Sequence, residues 1–579
     1  MKKNVATQIV ELLEKAGVRH VYAVAGDSLN YFNIAVKNSE KIDWVHVRHE
    51  EVGAFAASTE SQFSGIGCCA GSSGPGHVHL VNGVYDAHKS RTPMIVIAST
   101  CATTEFGTEY YQETNTITLF DDCSCFNQMI TRAEQVPRIV QMALQRAIDN
   151  KDVAVIGLPG DVAEMEAVEN NFTQEFFYNR PIVIPQPSEL EKAAKMINEA
   201  KTVTLYCGIG ASEAADQVIE LSKKLNAPVG YSYRGKMYIQ GNNPNEVGMT
   251  GFLGLPAAYH AMHECELLIM IGTDFPYKAF IPNDRKIIQI ELEGGKIGRR
   301  GKVDLGLMGN SKETIENLLP LIEAKTDKTF LDKQLALYDV VKQRKMVYVE
   351  DKGTEDRIRP EYVAYQIDLL SKDDAIYTVD TGLNCVWASR YITGNGKRRM
   401  LACFRHGSMA NAMPHAMGIQ LAHPDKQVIA FCGDGGLSML FGDLSTIKQY
   451  KLPVKLIIFN NRAIGQVKME MEIAGITDNE TDMDNPDYAI VAQGMGIKAE
   501  NVHKPEDVID ALKRAFEYDG PYILSVFTDP DHFAVPPKAT DAQIEGFTKS
   551  MEKLMLGGKM QEEMDIINSN IKHIDDLKL

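Results

Sequence analysis

The chain has 579 residues, 44% of them hydrophobic and 24% charged, with a formal net charge of −17. That length exceeds one hydrophobic core and implies about three or four domains. The acidic balance lacks the basic footprint that nucleic acid or an anionic membrane surface requires, while a local anion site built from a metal and backbone amides remains open.

The chain opens on VATQIVELLEKAG, an amphipathic helix pattern ending at Gly17. Two lysines precede it, but no apolar core of a signal peptide follows. No apolar run reaches membrane-spanning length, so a cytoplasmic protein is expected. The ten cysteines form no CxxC pair, which weakens zinc and redox-motif readings. Up to about Pro181, strand and helix patterns alternate. VYAVAGDS, WVHVRHEE, GIGCCAG, MIVIAS and VAVIGLPG read as strands, with Arg48, His49, Glu50 and Glu51 at one strand-to-helix junction. This is the pattern of a parallel sheet built from crossover units.

A proline-marked linker, NRPIVIPQPSELE, opens a second α/β segment. TVTLYCGIGAS, ELLIMIGTDFPYKAF and KIIQIELEGG are strands followed by polar or glycine turns. GIGAS alone is too short to be a dinucleotide fingerprint. A carboxylate at the end of IIQIE, Glu291, is well placed to accept from a ribose hydroxyl.

The third segment centres on GDGGLSMLFGDLSTIKQYKLPVKLIIFNN, residues 433–461. The apolar run VIAFC before it reads as a buried strand, a helical face of Leu440, Leu444 and Ile447 follows, and Pro453 precedes the strand VKLIIF. Asp434 and Asn461 therefore fall at the C-terminal ends of neighbouring strands, where open α/β sheets bind ligands. Two hard oxygen donors suit a magnesium ion that also holds phosphates. Beyond about Pro530, Ile544, Phe547, Met551 and Leu554 make one helical stripe, and Met564, Ile567, Ile571 and Ile574 a second.

The order GDG, strand, helix, strand, NN resembles the diphosphate-binding motif of thiamine diphosphate enzymes. RHEEVGAFAAS and GSSGPG resemble the first domain of the acetolactate synthase and pyruvate oxidase group. MTGFLG and GTDFPYKAF resemble FAD-contacting segments of pyruvate oxidases, particularly the quinone-reducing pyruvate dehydrogenases. The resemblance runs over essentially the whole chain. It implies three consecutive parallel-sheet α/β domains of the thiamine diphosphate-binding fold plus a C-terminal helical tail. The expected limits are 1–181 for the pyrimidine-binding domain, 182–335 for the FAD domain, 336–529 for the diphosphate domain and 530–579 for the tail.

The implied reaction is oxidative decarboxylation of pyruvate with thiamine diphosphate, Mg2+ and FAD, yielding CO2 and acetate or acetyl phosphate, with oxygen or a quinone as final acceptor. Glu50 would hydrogen-bond the cofactor's aminopyrimidine nitrogen and share its proton, which calls for a buried carboxyl. His79, Gln112 and Glu470 match positions facing the substrate or the thiazolium. Thiamine diphosphate would lie against Glu50, Pro75, Gly76, Gly382, Gly407, Ser408, Met409, Gly433, Asp434, Gly435, Gly436, Asn461, Ala463, Ile464, Gly465, Gln466 and Val467, with Met409 wedged beneath it. Asp434, Asn461 and the carbonyl of Ala463 would hold the metal. FAD would meet Thr250, Gly251, Phe252, Leu253, Thr273, Asp274, Phe275, Pro276, Tyr277 and Glu291.

Family sites lie between two subunits, which implies a dimer at least and a homotetramer as the expected assembly. In quinone-reducing relatives the tail is a lid that meets the membrane; the simpler expectation is a helix packed on its own subunit. Two positions depart from the pattern: Gln466 stands where relatives carry a large aromatic, and Tyr111 where they carry Phe. An acetolactate synthase-type carboligase is the alternative, but such enzymes carry Trp where this chain has Glu470. A non-catalytic, cofactor-binding regulatory protein is the alternative of another class.

Overall fold

The computed structural model describes residues 3–169, 175–534, 549–551, 553 and 560–570. Three six-stranded sheets follow one another along the chain, at 20–159, 203–308 and 376–527, and every strand pairing in them is parallel. Counted along the chain within each sheet, the first and third share the order 2-1-3-4-6-5, while the middle sheet runs 3-2-1-4-5-6. The middle order is that of dinucleotide-binding folds, whose ligands sit where the strand order reverses. The short strands Phe126–Met129, Val229–Tyr231 and Leu305–Met308 complete the sheets, and at three or four residues each they are too short to announce themselves in the sequence.

Central strands such as Met94–Thr100, Leu267–Ile271 and Lys455–Asn460 are buried at every position, as sheets covered by helices on both faces require. A helix Thr329–Asp351 joins the middle sheet to the third and runs across the expected 335/336 limit. All ten cysteines are free thiols.

The first and third sheets meet through two helices, Glu50–Ser64 and Ala412–Ala422. The contact is close because Gly418 lies on the partner backbone: a Cβ there would stand 2.1 Å from the Ala56 carbonyl oxygen and 2.7 Å from Thr59 Oγ1. Beside it the buried Asp86 carboxylate meets His415 Nε2 at 3.1 Å. We expect Gly418→Ala to cost about 3 kcal/mol, since backbone cannot yield as a flexible side chain does. A shifted urea midpoint checks this, and an unchanged one would show that the two helices simply slide apart.

The described part of the tail packs on its own chain. In the helix Met560–Asn570, Ile566 and Ser569 are buried, while Met564 and Ile567 of the expected stripe face outward. The reason is polar. Arg359 Nη1 donates to the Ser569 carbonyl at 3.2 Å and pairs with Asp529 at 3.2 Å, and Ser569 Oγ donates to Asp529 at 2.7 Å. His532 bridges Glu361 Oε1 at 2.5 Å and the Ser569 carbonyl at 3.1 Å. These bonds rotate Ile566, Ser569 and Asn570, spaced i, i+3 and i+4, onto the body. Met551 is buried as expected, whereas Ile544, Phe547, Leu554, Ile571 and Ile574 lie outside the described residues.

Candidate active site

The residues singled out in the third segment converge. Asp434 begins the helix Asp434–Met439 directly after the strand Val428–Gly433, and Asn460 ends the adjacent strand Lys455–Asn460. The expected single helical face is broken in two, since a 3-10 turn Phe441–Asp443 separates Asp434–Met439 from Leu444–Gln449. Leu440, Leu444 and Ile447 are nonetheless all buried.

Asp434 is 2% exposed. Its Oδ2 accepts from Arg462 N at 2.6 Å and Asn485 Nδ2 at 2.9 Å, and its Oδ1 from Gly435 N at 2.9 Å. Burial pushes its carboxyl up to about 6 against the pull of these donors. The Asn461 side-chain amide faces Asp434 Oδ1 at 3.2 Å and the Ala463 carbonyl at 2.9 Å. In the orientation its neighbours favour, the Asn461 amide nitrogen donates to both of those oxygens, so the three groups sit together. A cluster of a carboxylate, an amide carbonyl and a backbone carbonyl is a donor set for a hard cation such as Mg2+. Ile464 Cδ1 and Met409 Cε both stand over Gly435, within 2.9 and 3.5 Å of where its Cβ would be. Met409 thus lies beside the glycine turn that follows the strand Val428–Gly433.

Asp380 ties these segments together. It is 1% exposed, and its two oxygens accept from Ala412 N at 2.8 Å and Gly433 N at 3.1 Å. Burial pushes its carboxyl up to about 6 as well. Gly382 and Gly407 have φ of 133° and 76° in the neighbouring turns. Ser408 Oγ accepts from Asn82 Nδ2 at 2.9 Å, which anchors that segment to the first domain.

The first sheet carries a second constellation. Glu50 begins its helix, is 7% exposed, and its Oε2 lies 2.9 Å from His79 Nδ1. His79 stacks on His49 with ring centroids 4.5 Å apart. Gly76 lets the chain pass close by, since a Cβ there would stand 3.3 Å from Glu50 Oε1 and 2.4 Å from Ser72 Oγ. Pro75 is exposed beside it. Gln112 holds φ at 61°, and its carbonyl accepts from Ser73 Oγ at 2.9 Å. Ala410 and Arg462, next to Met409 and between the two NN-side ligands, also have positive φ, at 62° and 55°. Left-handed backbone at non-glycine residues is costly and gathers where geometry is specified.

Among the described residues, no hydrogen bond or ion pair joins Glu50 or His79 to Asp434, Asn461 or Met409. Glu470 is exposed and accepts from Gln466 Nε2 at 2.8 Å, while Gln466 Oε1 is buried without a partner. Gly465 and Val467 flank it at the start of the helix Gly465–Ile473.

The middle-sheet residues singled out in the sequence include buried polar groups and packed aromatics. Thr250 and Thr273 are buried, and Thr250 Oγ1 has no partner. Phe252 stacks on Tyr277, and Phe275 packs edge-on against Tyr277, beyond the left-handed turn at Gly251. Leu253 gives its carbonyl to Arg390 Nε at 3.0 Å. Pro276 is exposed and precedes the turn Lys278–Phe280. Burial pushes Asp274 up, but the Arg299 and Arg300 guanidiniums outweigh it and hold the carboxyl below its ordinary value. Arg405 approaches the same carboxylate at 3.4 Å. Glu291 is 9% exposed and accepts from its neighbour Leu292 N at 3.0 Å; burial raises its carboxyl.

Sequence reasoning placed His49 at the junction without giving it a role, and missed Asp380, Asn485 and Asp443. Asp380 ends a strand, which was a usable signal. Asn485 sits in a polar loop without periodicity, so only the fold brings it to Asp434.

Parallel sheets carrying an acid-and-amide oxygen cradle at one strand-end crevice define a cofactor-binding α/β enzyme. Three family models match in succession: the thiamine pyrophosphate enzyme N-terminal binding domain over residues 3–119, the central domain over 190–318 and the C-terminal binding domain over 380–526. The chain belongs to the thiamine pyrophosphate enzyme family and is a thiamine diphosphate-dependent enzyme. It is 33% identical to the thiamine pyrophosphate-containing protein YdaP of Bacillus subtilis (strain 168) over 99% of each chain. It is 29% identical to a pyruvate oxidase of Lactiplantibacillus plantarum over 88% of this chain and 85% of that one. It is 27% identical to acetolactate synthase 2 of Zea mays over 91% of this chain and 86% of that one.

Proposed function

We propose that the enzyme oxidatively decarboxylates pyruvate or a close 2-oxo acid. The carboxylate leaves as CO2, two electrons pass to FAD and then to oxygen or a quinone, and water or phosphate takes the acetyl group as acetate or acetyl phosphate. The observation that carries this reading over carboligation is Glu470. It is hydrogen-bonded to Gln466 and stands where, by the family resemblance, acetolactate synthases usually carry Trp.

Thiamine diphosphate supplies the electron sink for the breaking carbon–carbon bond, and FAD the two-electron acceptor. The chain's residues supply the rest. Asp434, Asn461 and the Ala463 carbonyl would hold Mg2+, which would supply a positive charge for the diphosphate. Glu50 takes and returns the proton at the aminopyrimidine, with His79 as its neighbour at 2.9 Å. His79 and Gln112 face the substrate. Thr250, Thr273, Asp274 and Glu291 hold FAD, for which the unpartnered Thr250 hydroxyl and the arginines on Asp274 are the supporting observations.

We place the complete site between two copies of the chain, as the family resemblance implies, hence a dimer or tetramer. Exposed apolar residues flank both halves, Val78, Tyr110 and Tyr111 at the first and Val467, Ile476 and Ile490 at the second. We keep domain limits at 181/182, 335/336 and 529/530 as part of this reading, the middle one falling inside the helix Thr329–Asp351. No helix among the described residues is long and apolar enough to cross a membrane. A cytoplasmic location fits this reading, and peripheral membrane contact has only the outward Met564 and Ile567 of the described tail in its favour.

The test is anaerobic. Purified enzyme with thiamine diphosphate, Mg2+ and FAD is mixed with pyruvate, and the flavin absorbance is followed. Bleaching, reversed by air or by a soluble quinone, is the expected result. Flavin that stays oxidised while acetolactate accumulates would replace this reading with the carboligase one.

A further inference from the structure

We infer that Asp443 is a positioning residue for Glu50: a buried carboxylate of the third domain fixes the backbone from which the first domain's catalytic acid projects. The inference rests on the role proposed for Glu50.

The strand Asp43–His46 ends four residues before Glu50, and the chain between must turn into the helix Glu50–Ser64. At such a junction the N–H groups before the helix have no intrahelical partner. Here both are taken by one side chain from another domain. Arg48 N donates to Asp443 Oδ1 at 2.8 Å and His49 N to Asp443 Oδ2 at 3.0 Å. Each carboxylate oxygen holds one amide, so the pair fixes the orientation of the segment as well as its position. Asp443 is 1% exposed, and Thr446 Oγ1 donates to its Oδ1 at 2.7 Å.

The same third-domain segment grips the strand end further back. His46 N donates to Tyr450 Oη at 2.7 Å, Tyr450 Oη donates to the Trp44 carbonyl at 3.1 Å, and Arg48 Nη2 donates to Gln449 Oε1 at 2.7 Å. His49 is the N-cap and Glu50 the first helical residue, so a shift at His49 N reaches the Glu50 Cα across a single peptide. His49 also carries the ring stacked on His79, the partner of Glu50. A displaced carboxyl loses reach to the proton it must share, and small misplacements of catalytic groups are costly in rate.

The test pairs two readouts. Hydrogen-exchange mass spectrometry of the cofactor-free protein follows the peptide around residues 44–55. Protection at Arg48 and His49 is expected in the wild type and lost in Asp443→Ala. With thiamine diphosphate and Mg2+ bound, exchange of the thiazolium C2 proton for deuterium, read by NMR after acid quench, reports what Glu50 does. We expect Asp443→Ala to slow it about tenfold or more, with cofactor affinity changed by less than about threefold. Asp443→Asn keeps one acceptor, and Tyr450→Phe removes only the strand-end grip; both should fold and show smaller losses in the same direction. Unchanged C2 exchange in Asp443→Ala and Asp443→Asn, beside a lost rate in Glu50→Gln, would overturn this inference alone. An unchanged rate in Glu50→Gln would overturn the role of Glu50 and this inference with it.

Discussion

Glu50→Gln lowers pyruvate turnover by about a hundredfold to ten-thousandfold, the span typical of losing a positioned acid–base group. Glutamine keeps the volume and can still bond His79, so the buried start of the helix Glu50–Ser64 should stay intact. What it lacks is an oxygen that can take up and return a proton. The loss should therefore fall on kcat, with the KM for pyruvate and the affinity for thiamine diphosphate little changed. Steady-state CO2 release and calorimetric titration of the cofactor measure the two separately. Turnover within about threefold of wild type would remove Glu50 from the proton path.

Asp434→Ala removes Mg2+-dependent retention of the diphosphate, with the apparent cofactor affinity falling by at least about a hundredfold, more than the loss typical of removing an outer-shell partner. Three contributions go at once. The cradle loses its only charged oxygen, the Asn461 amide loses the neighbour that orients it, and Arg462 N and Asn485 Nδ2 lose their acceptor. In the wild type a chelator should reproduce the loss, and added Mg2+ should reverse it. In Asp434→Ala neither should matter. Titration of thiamine diphosphate with and without a chelator decides it; equal affinities for the wild type and Asp434→Ala would show that the diphosphate is held by backbone amides alone.

Much of this site was legible in the sequence where chain order forces proximity. A strand, a turn, a short helix and a second parallel strand bring Asp434 and Asn461 together whatever surrounds them, and the pairing of Gly433 with Phe459 is that geometry. Glu50 at a strand-to-helix junction was legible for the same reason. Contacts that depend on distant segments were not. Asn485 and Asp443 acquire their roles only when loops from different crossovers meet, and nothing in their local spacing marks them. The tail shows the limit of periodicity most clearly. Met564 and Ile567 fit an apolar stripe, yet buried polar bonds from Arg359 and His532 to Ser569 turn a different face inward. Where ionic groups are buried, their hydrogen-bond demands override a stripe of apolar residues.

That same anchorage bears on how the chain tolerates shortening. Ser569 supplies a carbonyl to both Arg359 and His532 and a hydroxyl to Asp529, and Asn570 Nδ2 donates to the Asp531 carbonyl at 2.6 Å. A protein ending before residue 560 would leave a guanidinium, an imidazole and two aspartates of the third domain short of partners in a pocket that water would have to flood. Asp531 also receives Lys468 Nζ at 3.2 Å, from the helix that carries Gln466 and Glu470. Clipping the last helix is thus no neutral trimming of a dispensable appendage: its damage would spread along that ionic chain to the helix Gly465–Ile473.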